Sequence, residues 1–505
     1  MVGIAHKGVA AVKWSAASTI AVIALQMITQ VLLARRLGPD IYGIFGIGLT
    51  AFTFSNFLAS FGFSWALLQV LELREDDVRF AFTWQLASGT AAGLALYSLA
   101  PLLAAFFHDL RVEPVIRWLA LACVLNAAAG PATCLLQRDL NFRASGFIEV
   151  AGYTLGYVVV GIPLAWWGAG VYSLVAAGLV QASLKLVASF ALRPHSLRPL
   201  FWYDRAPAMV GVGSTVFVTN LANWFLDNMD RLLIGRLLNA KAVGLYNVGY
   251  NLANKPNTLL VGAVQPALFS SSARLQNDPR RLGRAYMQIV ATIWVLVAPL
   301  FVFLSLIAMD LVRLLYGARW TDTGGVLAIL FLAMPLYVTW GASTPVLWNT
   351  GRKHYESLLQ LPLLLIAVLA FFRFAPMGIH AAAWVTTGLL ASRGLVVSTA
   401  AFRAVGLRFN SLWPHLLRGA LLSTMTAGGA RLGQYLASGL HAPLASLAAA
   451  TLVAAVPVIG LVYARPAILG SDAATMVVRF VPQMRRHLRV PDSVPADANA
   501  GQADE

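Results

Sequence analysis

Asn223-Trp224-Phe225-Leu226-Asp227-Asn228-Met229-Asp230-Arg231-Leu232-Leu233-Ile234-Gly235-Arg236-Leu237-Leu238 sets three charges, Asp227, Asp230 and Arg231, inside an apolar run. A charge at mid-bilayer costs about 2.5–3.5 kcal/mol or more, so it faces a bundle interior or a wet cavity rather than lipid. At about 100° per residue, Asn220, Asn223, Asp227 and Asp230 share one face of a helix, with Arg231 beside them. The following run repeats the pattern, with Asn247, Asn251, Asn254 and Thr258 on one face and Lys255 at its edge. In the first run Gln26 and Gln30 stand one turn apart.

The rest of the chain explains why such faces exist. Of 505 residues, 59% are hydrophobic and 11% charged, where a soluble domain carries about 25% charged residues. A hydrocarbon core about 30 Å thick needs roughly 20 apolar residues per helix. About fourteen runs reach that length, near residues 9–34, 44–70, 80–107, 114–136, 146–167, 170–192, 208–238, 242–272, 285–308, 324–348, 353–374, 378–402, 412–437 and 442–464. Strands are excluded, because lipid offers no partner to an open sheet edge. The expected fold is therefore an all-α integral membrane protein of about 14 transmembrane helices. The first run ends in Arg35-Arg36 and is too long for a cleaved signal, so it is expected to be a permanent span.

The net charge of +16 is spread over short loops, which argues against nucleic acid as a partner. With a cytoplasmic N-terminus, the cytoplasmic loops and tails collect about twice as many Lys and Arg as the other side, which places both termini in the cytoplasm. Cys123 and Cys134 lie in one run, about 16 Å apart along a helix, too far to bridge.

Residues 36–46 echo residues 236–247 with one inserted residue, and a weaker echo pairs 130–138 with 344–352. An even number of spans separates each pair, which is the parallel type of repeat. The expected domains are residues 1–207, a six-helix lobe (about 9–192) with its connecting loop; residues 208–410, a second six-helix lobe; residues 411–464, an added helix pair; and residues 465–505, a cytoplasmic tail whose polar end is expected to be disordered. The polar faces are expected to line a hydrated chamber between the lobes. Glu149, Lys185, Arg393 and Arg418 are further charges within or at the edges of runs.

No phosphate-binding loop, zinc-protease motif or nucleophile elbow is present, so neither a cofactor, a metal nor an enzymatic role is expected. The run Glu75-Asp76-Asp77 reads as a solvated charged loop beside Arg74 and Arg79.

Several motifs carry a family resemblance. Residues 35–43, 135–143, 227–236, 244–247 and 315–320 resemble signatures of polysaccharide transporters of the Wzx flippase type, in the multidrug/oligosaccharidyl-lipid/polysaccharide superfamily. The resemblance extends to about residue 410. It implies a two-lobed flippase that moves undecaprenyl-pyrophosphate-linked oligosaccharide across a bacterial inner membrane for O-antigen, capsule or exopolysaccharide assembly. Its implied partners are the lipid-linked oligosaccharide, the bilayer, and a polysaccharide polymerase with other assembly proteins. Candidate substrate-cavity residues are then Gln26, Gln30, Lys185, Asn220, Asn223, Arg231, Asn251, Asn254, Lys255, Arg393 and Arg418. Candidates for ion coupling are Glu149, Asp227 and Asp230. Two other readings stay open here. An ion-coupled drug or organic-cation exporter would need a net acidic cavity. A membrane polymerase or glycosyltransferase usually carries a large periplasmic loop.

Overall fold

The computed structural model describes residues 2–60, 63–70, 72–274, 278–440 and 442–480. The tail from residue 481 onward lies outside the described residues, as does the side chain of Asn220. The described chain consists of helices and the segments that connect them, without strands among the described residues, and divides into two compact units, Met1–Asn247 and Val248–Glu505.

The first unit begins with α1 (Val2–Ser60), which breaks at Gly38, where φ is +79° and ψ 172°. Pro39 follows, and its missing N–H and fixed ring turn the break into a boundary between the first two apolar runs. After α2 (Phe63–Gln69) come α3 (Glu75–Phe106) and α4 (Val112–Arg138). Next, α5 (Phe142–Tyr153) continues through a π-helical stretch, Thr154–Gly161, into α6 (Ile162–Trp166) as one rod. Then α7 (Val171–Leu192) and α8 (Ala206–Leu237) follow, and the boundary between units falls inside α9 (Ala240–Arg274). Within this unit α4 is the central helix, packed on α1, α3 and α7.

Helices in lipid gain little from hydrophobic association and pack instead through small residues that let backbones approach. The α3–α4 contact follows that rule, with Gly89 against Ala127 and Gly93 against the Ala120 carbonyl. The two echoing segments pack on each other reciprocally. A methyl group on Gly43 would overlap the Ala240 carbonyl oxygen, and one on Gly244 would overlap that of Pro39. At each of these two close approaches only a glycine fits.

The second unit contains α10 (Pro279–Thr292), a π-helical stretch Ile293–Val297, and α11 (Ala298–Tyr316) in one rod. The helices α12 (Thr321–Phe331) and α13 (Met334–Asn349) form a pair bent by 49°. They are followed by α14 (Lys353–Phe374), α15 (Ile379–Ala404), α16 (Trp413–Ala437), α17 (Pro443–Ala464) and α18 (Gly470–Phe480). Here α15 packs on α12, α13 and α14, while α16 and α17 pair through Gly429 and Gly433 and dock on α11. Asp310 of α11 fixes that pair by accepting from Gln434 (3.1 Å) and Ser446 (2.8 Å).

Nine described helices are long and apolar enough to span a bilayer, or ten if the bent pair is one span. The expected count of about fourteen is therefore not reached by this measure among the described residues: the first two runs share the single long helix α1, and α8, α9 and α16 stand outside the set. Of these three, α8 and α9 carry the polar faces.

One expectation is corrected. Glu75-Asp76-Asp77 is not a loop but the first turn of α3, and Asp77 is fully buried. Its carboxylate accepts from the Arg74 backbone N–H (2.8 Å) and the Tyr203 hydroxyl (2.6 Å), with Arg205 3.7 Å away. Carboxylates are favoured there because the first turn leaves backbone donors unsatisfied and carries the positive end of the helix dipole.

Candidate functional site

The polar groups within the helices fall into two kinds, distinguished by whether the protein itself satisfies them.

The face of α8 belongs to the first kind. Asp230 is buried, 4% exposed, and accepts from the Tyr246 hydroxyl at 2.6 Å. Arg231 donates to Asn247 Oδ1 (2.9 Å), the Asp227 carbonyl (2.7 Å) and Asn228 Oδ1 (3.1 Å), and stands 3.9 Å from Asp230. The opening stretch thus builds a hydrogen-bonded network between α8 and the start of α9. Asp227 itself is exposed and Asn223 half-buried.

Other expected residues are dispersed. Gln26 and Gln30 are half-buried on α1, where Tyr42 donates to the Gln30 carbonyl at 3.4 Å. In the second unit Asn251 is exposed, Lys255 is half-buried, and Asn254 accepts from Asn257 at 3.0 Å. Arg393, 1% exposed, donates to Gln360 Oε1 at 2.6 Å and lies 4.7 Å from the Trp340 ring and 5.9 Å from that of Tyr337. Arg418 is half-buried, its guanidinium over Gly470. Glu149 is exposed on α5.

Lys185 belongs to the second kind. It lines a cavity of about 260 Å³ inside the first unit, together with polar side chains of α1, α2, α3 and α4. Part of the wall is tied to itself. Ser64 donates to Gln85 Oε1 (2.5 Å), Cys134 to the Ser64 carbonyl (2.8 Å), and Thr133 to Ser189 (3.3 Å). A methyl group on Gly130 would strike Gln85, so α4 approaches that wall as closely as it can. The remaining polar heads stay open. Among the described residues, the side chains of Lys185, Asn56 and Gln137 have no hydrogen-bond or ion-pair partner, and Asn126 spends only its N–H on the Ala122 carbonyl (2.9 Å). At about 30 Å³ per water, the space holds roughly eight waters or one compact polar group. None of its lining residues is Asp or Glu, and no described cluster of His, Cys, Asp or Glu could hold a metal ion.

Of the cavity's residues, only Lys185 stands among the positions expected from sequence. Asn126, Thr133 and Gln137 recur at i, i+7 and i+11, within about 40° on one face of α4. That stripe is visible in the sequence, but uncharged amides also serve as interhelical glue, and the stripe does not tell the two uses apart.

A bundle of apolar helices enclosing a polar, cation-bearing cavity defines a membrane transporter, and comparison with known proteins gives the family. The profile of the family described as polysaccharide biosynthesis protein matches residues 32–324. That is more than half of the chain, which belongs to this family. It is similar to the succinoglycan biosynthesis transport protein ExoT of Rhizobium meliloti, 26% identical over 68% of this chain and 69% of that one. It is also similar to the lipopolysaccharide biosynthesis protein WzxC of Escherichia coli, 22% identical over 64% and 66% respectively. In fold it resembles the lipid II flippase MurJ in an inward closed conformation, with a TM-score of 0.69 at 12% identity over 90% of this chain and all of that one. An inward-facing multidrug transporter of the MATE family gives a TM-score of 0.60 at 14% identity, over 76% and 94% of the two chains. The chain is a multi-pass membrane protein of the fold these transporters share.

Proposed function

We propose that this protein is a flippase. It moves an oligosaccharide joined through pyrophosphate to a polyprenyl lipid from the cytoplasmic to the outer leaflet of a bacterial inner membrane, with both of its termini in the cytoplasm. The observation that carries the reading is the Lys185 cavity. A sugar head cannot cross hydrocarbon without hydrogen-bond partners, since each unsatisfied polar group costs several kcal/mol there. Free amides and an ammonium inside a membrane bundle supply such partners. Family membership and the transport role in the printed name of ExoT support the same reading. A polysaccharide polymerase would act on the delivered head. Alternating access of the kind used by repeat-built transporters would expose the site to each side in turn.

The cavity's charge weighs against an exporter of organic cations, which would meet Lys185 and no carboxylate.

The test is leaflet accessibility. In cells lacking the polymerase, an impermeant lectin or periodate should reach the sugar of the lipid-linked intermediate when this protein is present. The sugar should be shielded when the gene is deleted. Equal accessibility in both strains refutes the flippase reading.

A further inference from the structure

Resting on that reading and deepening it, we propose that residues 193–205, the connector between the sixth and seventh expected spans, form a strap that stays docked on α3 throughout the transport cycle. The connector then moves with the first six spans as one body, so the loop that joins the two expected lobes is not a hinge.

Three observations converge. The first concerns the backbone. A short polar connector is ordinarily more mobile than the helices it joins. Residues 194–203 are neither helix nor strand, so their backbone groups have no ladder of their own and need partners elsewhere. Side chains of α3 supply them in register. Arg79 donates to the carbonyls of Arg198 (3.2 Å) and Pro199 (3.5 Å), Thr83 Oγ1 accepts from the Leu200 N–H (2.9 Å), and Trp84 donates to the Phe201 carbonyl (2.9 Å). Arg79 and Thr83 stand one turn apart on α3 and so share a face of it.

Second, both ends of the segment are pinned. Arg193 pairs with Asp139 at 2.8 Å where the strap begins. Where it ends, Tyr203 donates to Asp77 (2.6 Å), Asp204 meets Arg74 (3.3 Å) and Arg205 donates to the Glu72 carbonyl (3.1 Å). The exposed ion pairs contribute little by themselves. The Tyr203 bond contributes more, because undocking would take a partner from a carboxylate that is 0% exposed.

Third, the strap completes an apolar core. Leu200 and Tyr203 pack on Phe63, Phe80 and Cys134, and the Tyr203 ring lies 5.3 Å from that of Phe80. Ala206 and Met209, in the first turn of α8, belong to the same core. Undocking would therefore have to break the backbone row, the Asp77 bond and this core together. Any turn that alternating access requires falls beyond Met209.

The experiment ties the strap down. In the full-length protein the exposed pair Arg74–Asp204 is replaced, as Arg74→Cys with Asp204→Cys, and joined in detergent by a short bifunctional thiol reagent that dithiothreitol cleaves. The native Cys123 and Cys134 are buried, and treated wild-type protein is the control. Liposomes are made with the lipid extract of cells lacking this protein and the polymerase, so the cell's own lipid-linked intermediate is the cargo. Impermeant periodate consumes outer-leaflet sugar at once and inner-leaflet sugar only as it is delivered. Tethered protein should deliver it within about twofold of the untethered rate. A loss of about tenfold or more that dithiothreitol restores overturns the proposal, as does failure of the pair to link. Hydrogen exchange at the Leu200 amide reads docking without reference to transport. It should be slow with and without cargo, and Thr83→Val, which removes its acceptor, should quicken it about tenfold. Fast exchange in the wild type, or quickening by cargo, also overturns the strap. A protected amide in protein that delivers no sugar defeats the flippase reading and spares the docking, whereas a reversible loss of delivery on tethering does the opposite.

Discussion

Two cations, Arg393 and Lys185, sit on apolar helices, in different units and with opposite surroundings. The Arg393 guanidinium is enclosed by Gln360, Trp340 and Tyr337, with 1% of the residue exposed. The Lys185 ammonium looks into an open polar space with no partner among the described residues. The difference teaches how to sort charges inside a membrane protein. A charge whose hydrogen bonds are all spent on its neighbours serves packing, and one whose hydrogen bonds are unspent in a formed cavity serves a ligand. Substitutions should therefore separate stability from transport.

Arg393→Ala should produce the largest loss of stability, about 3 kcal/mol, because it takes the donor from Gln360 Oε1 and opens a void beside the stacked Tyr337 and Trp340 rings. Thermal unfolding of the purified protein reads this directly, and a wild-type midpoint would break the comparison. Asp230→Ala should cost about 2 kcal/mol by removing the buried carboxylate that accepts from the Tyr246 hydroxyl, measured in the same way. An equally large loss of transport without any loss of stability would move Asp230 to the ligand-serving kind.

His195 shows what an unspent polar atom does when it is packed against aromatic rings. Its Nε2 is buried without a partner, and the ring lies 5.0 Å from that of Phe82 and 5.3 Å from that of Phe190. Burial pushes its imidazole below the ordinary 6.5. The unfolded chain then takes up the proton first, so stability is fully present above pH 6.5 and falls as the pH drops through and below that value. Unfolding measured from pH 8 to pH 5 should show this slope, and His195→Leu should flatten it.

Asp40→Asn breaks an exposed pair with Arg111, which stands 2.6 Å away. Surface pairs contribute about 0–1 kcal/mol, so the unfolding midpoint should barely move. The smallest change in stability belongs to Lys185→Met, which should stay within about 0.5 kcal/mol of wild type while surface polysaccharide disappears. A destabilisation as large as that of Arg393→Ala would erase the distinction.

What the sequence determined by itself was what the solvent dictates. Hydrocarbon demands helices of about 20 apolar residues, so the all-α membrane fold could be read from composition and run length, and the family from short motifs. The echo between residues 36–46 and 236–247 was legible too, although the packing of Gly43 and Gly244, each beneath the other segment's carbonyl, required coordinates. The sequence also singled out Asp230, Arg231, Lys185 and Arg393 as costly. Only the tertiary structure decided which of them have that cost met by neighbours. Arg231 meets Asn247 sixteen residues away and Arg393 meets Gln360 thirty-three residues away, while Asn56, Asn126, Gln137 and Lys185 come from three separate helices to one space. Helical periodicity orders side chains along one helix and carries no information about which face of another helix will meet them. Whether a polar group is spent or free is a property of that meeting.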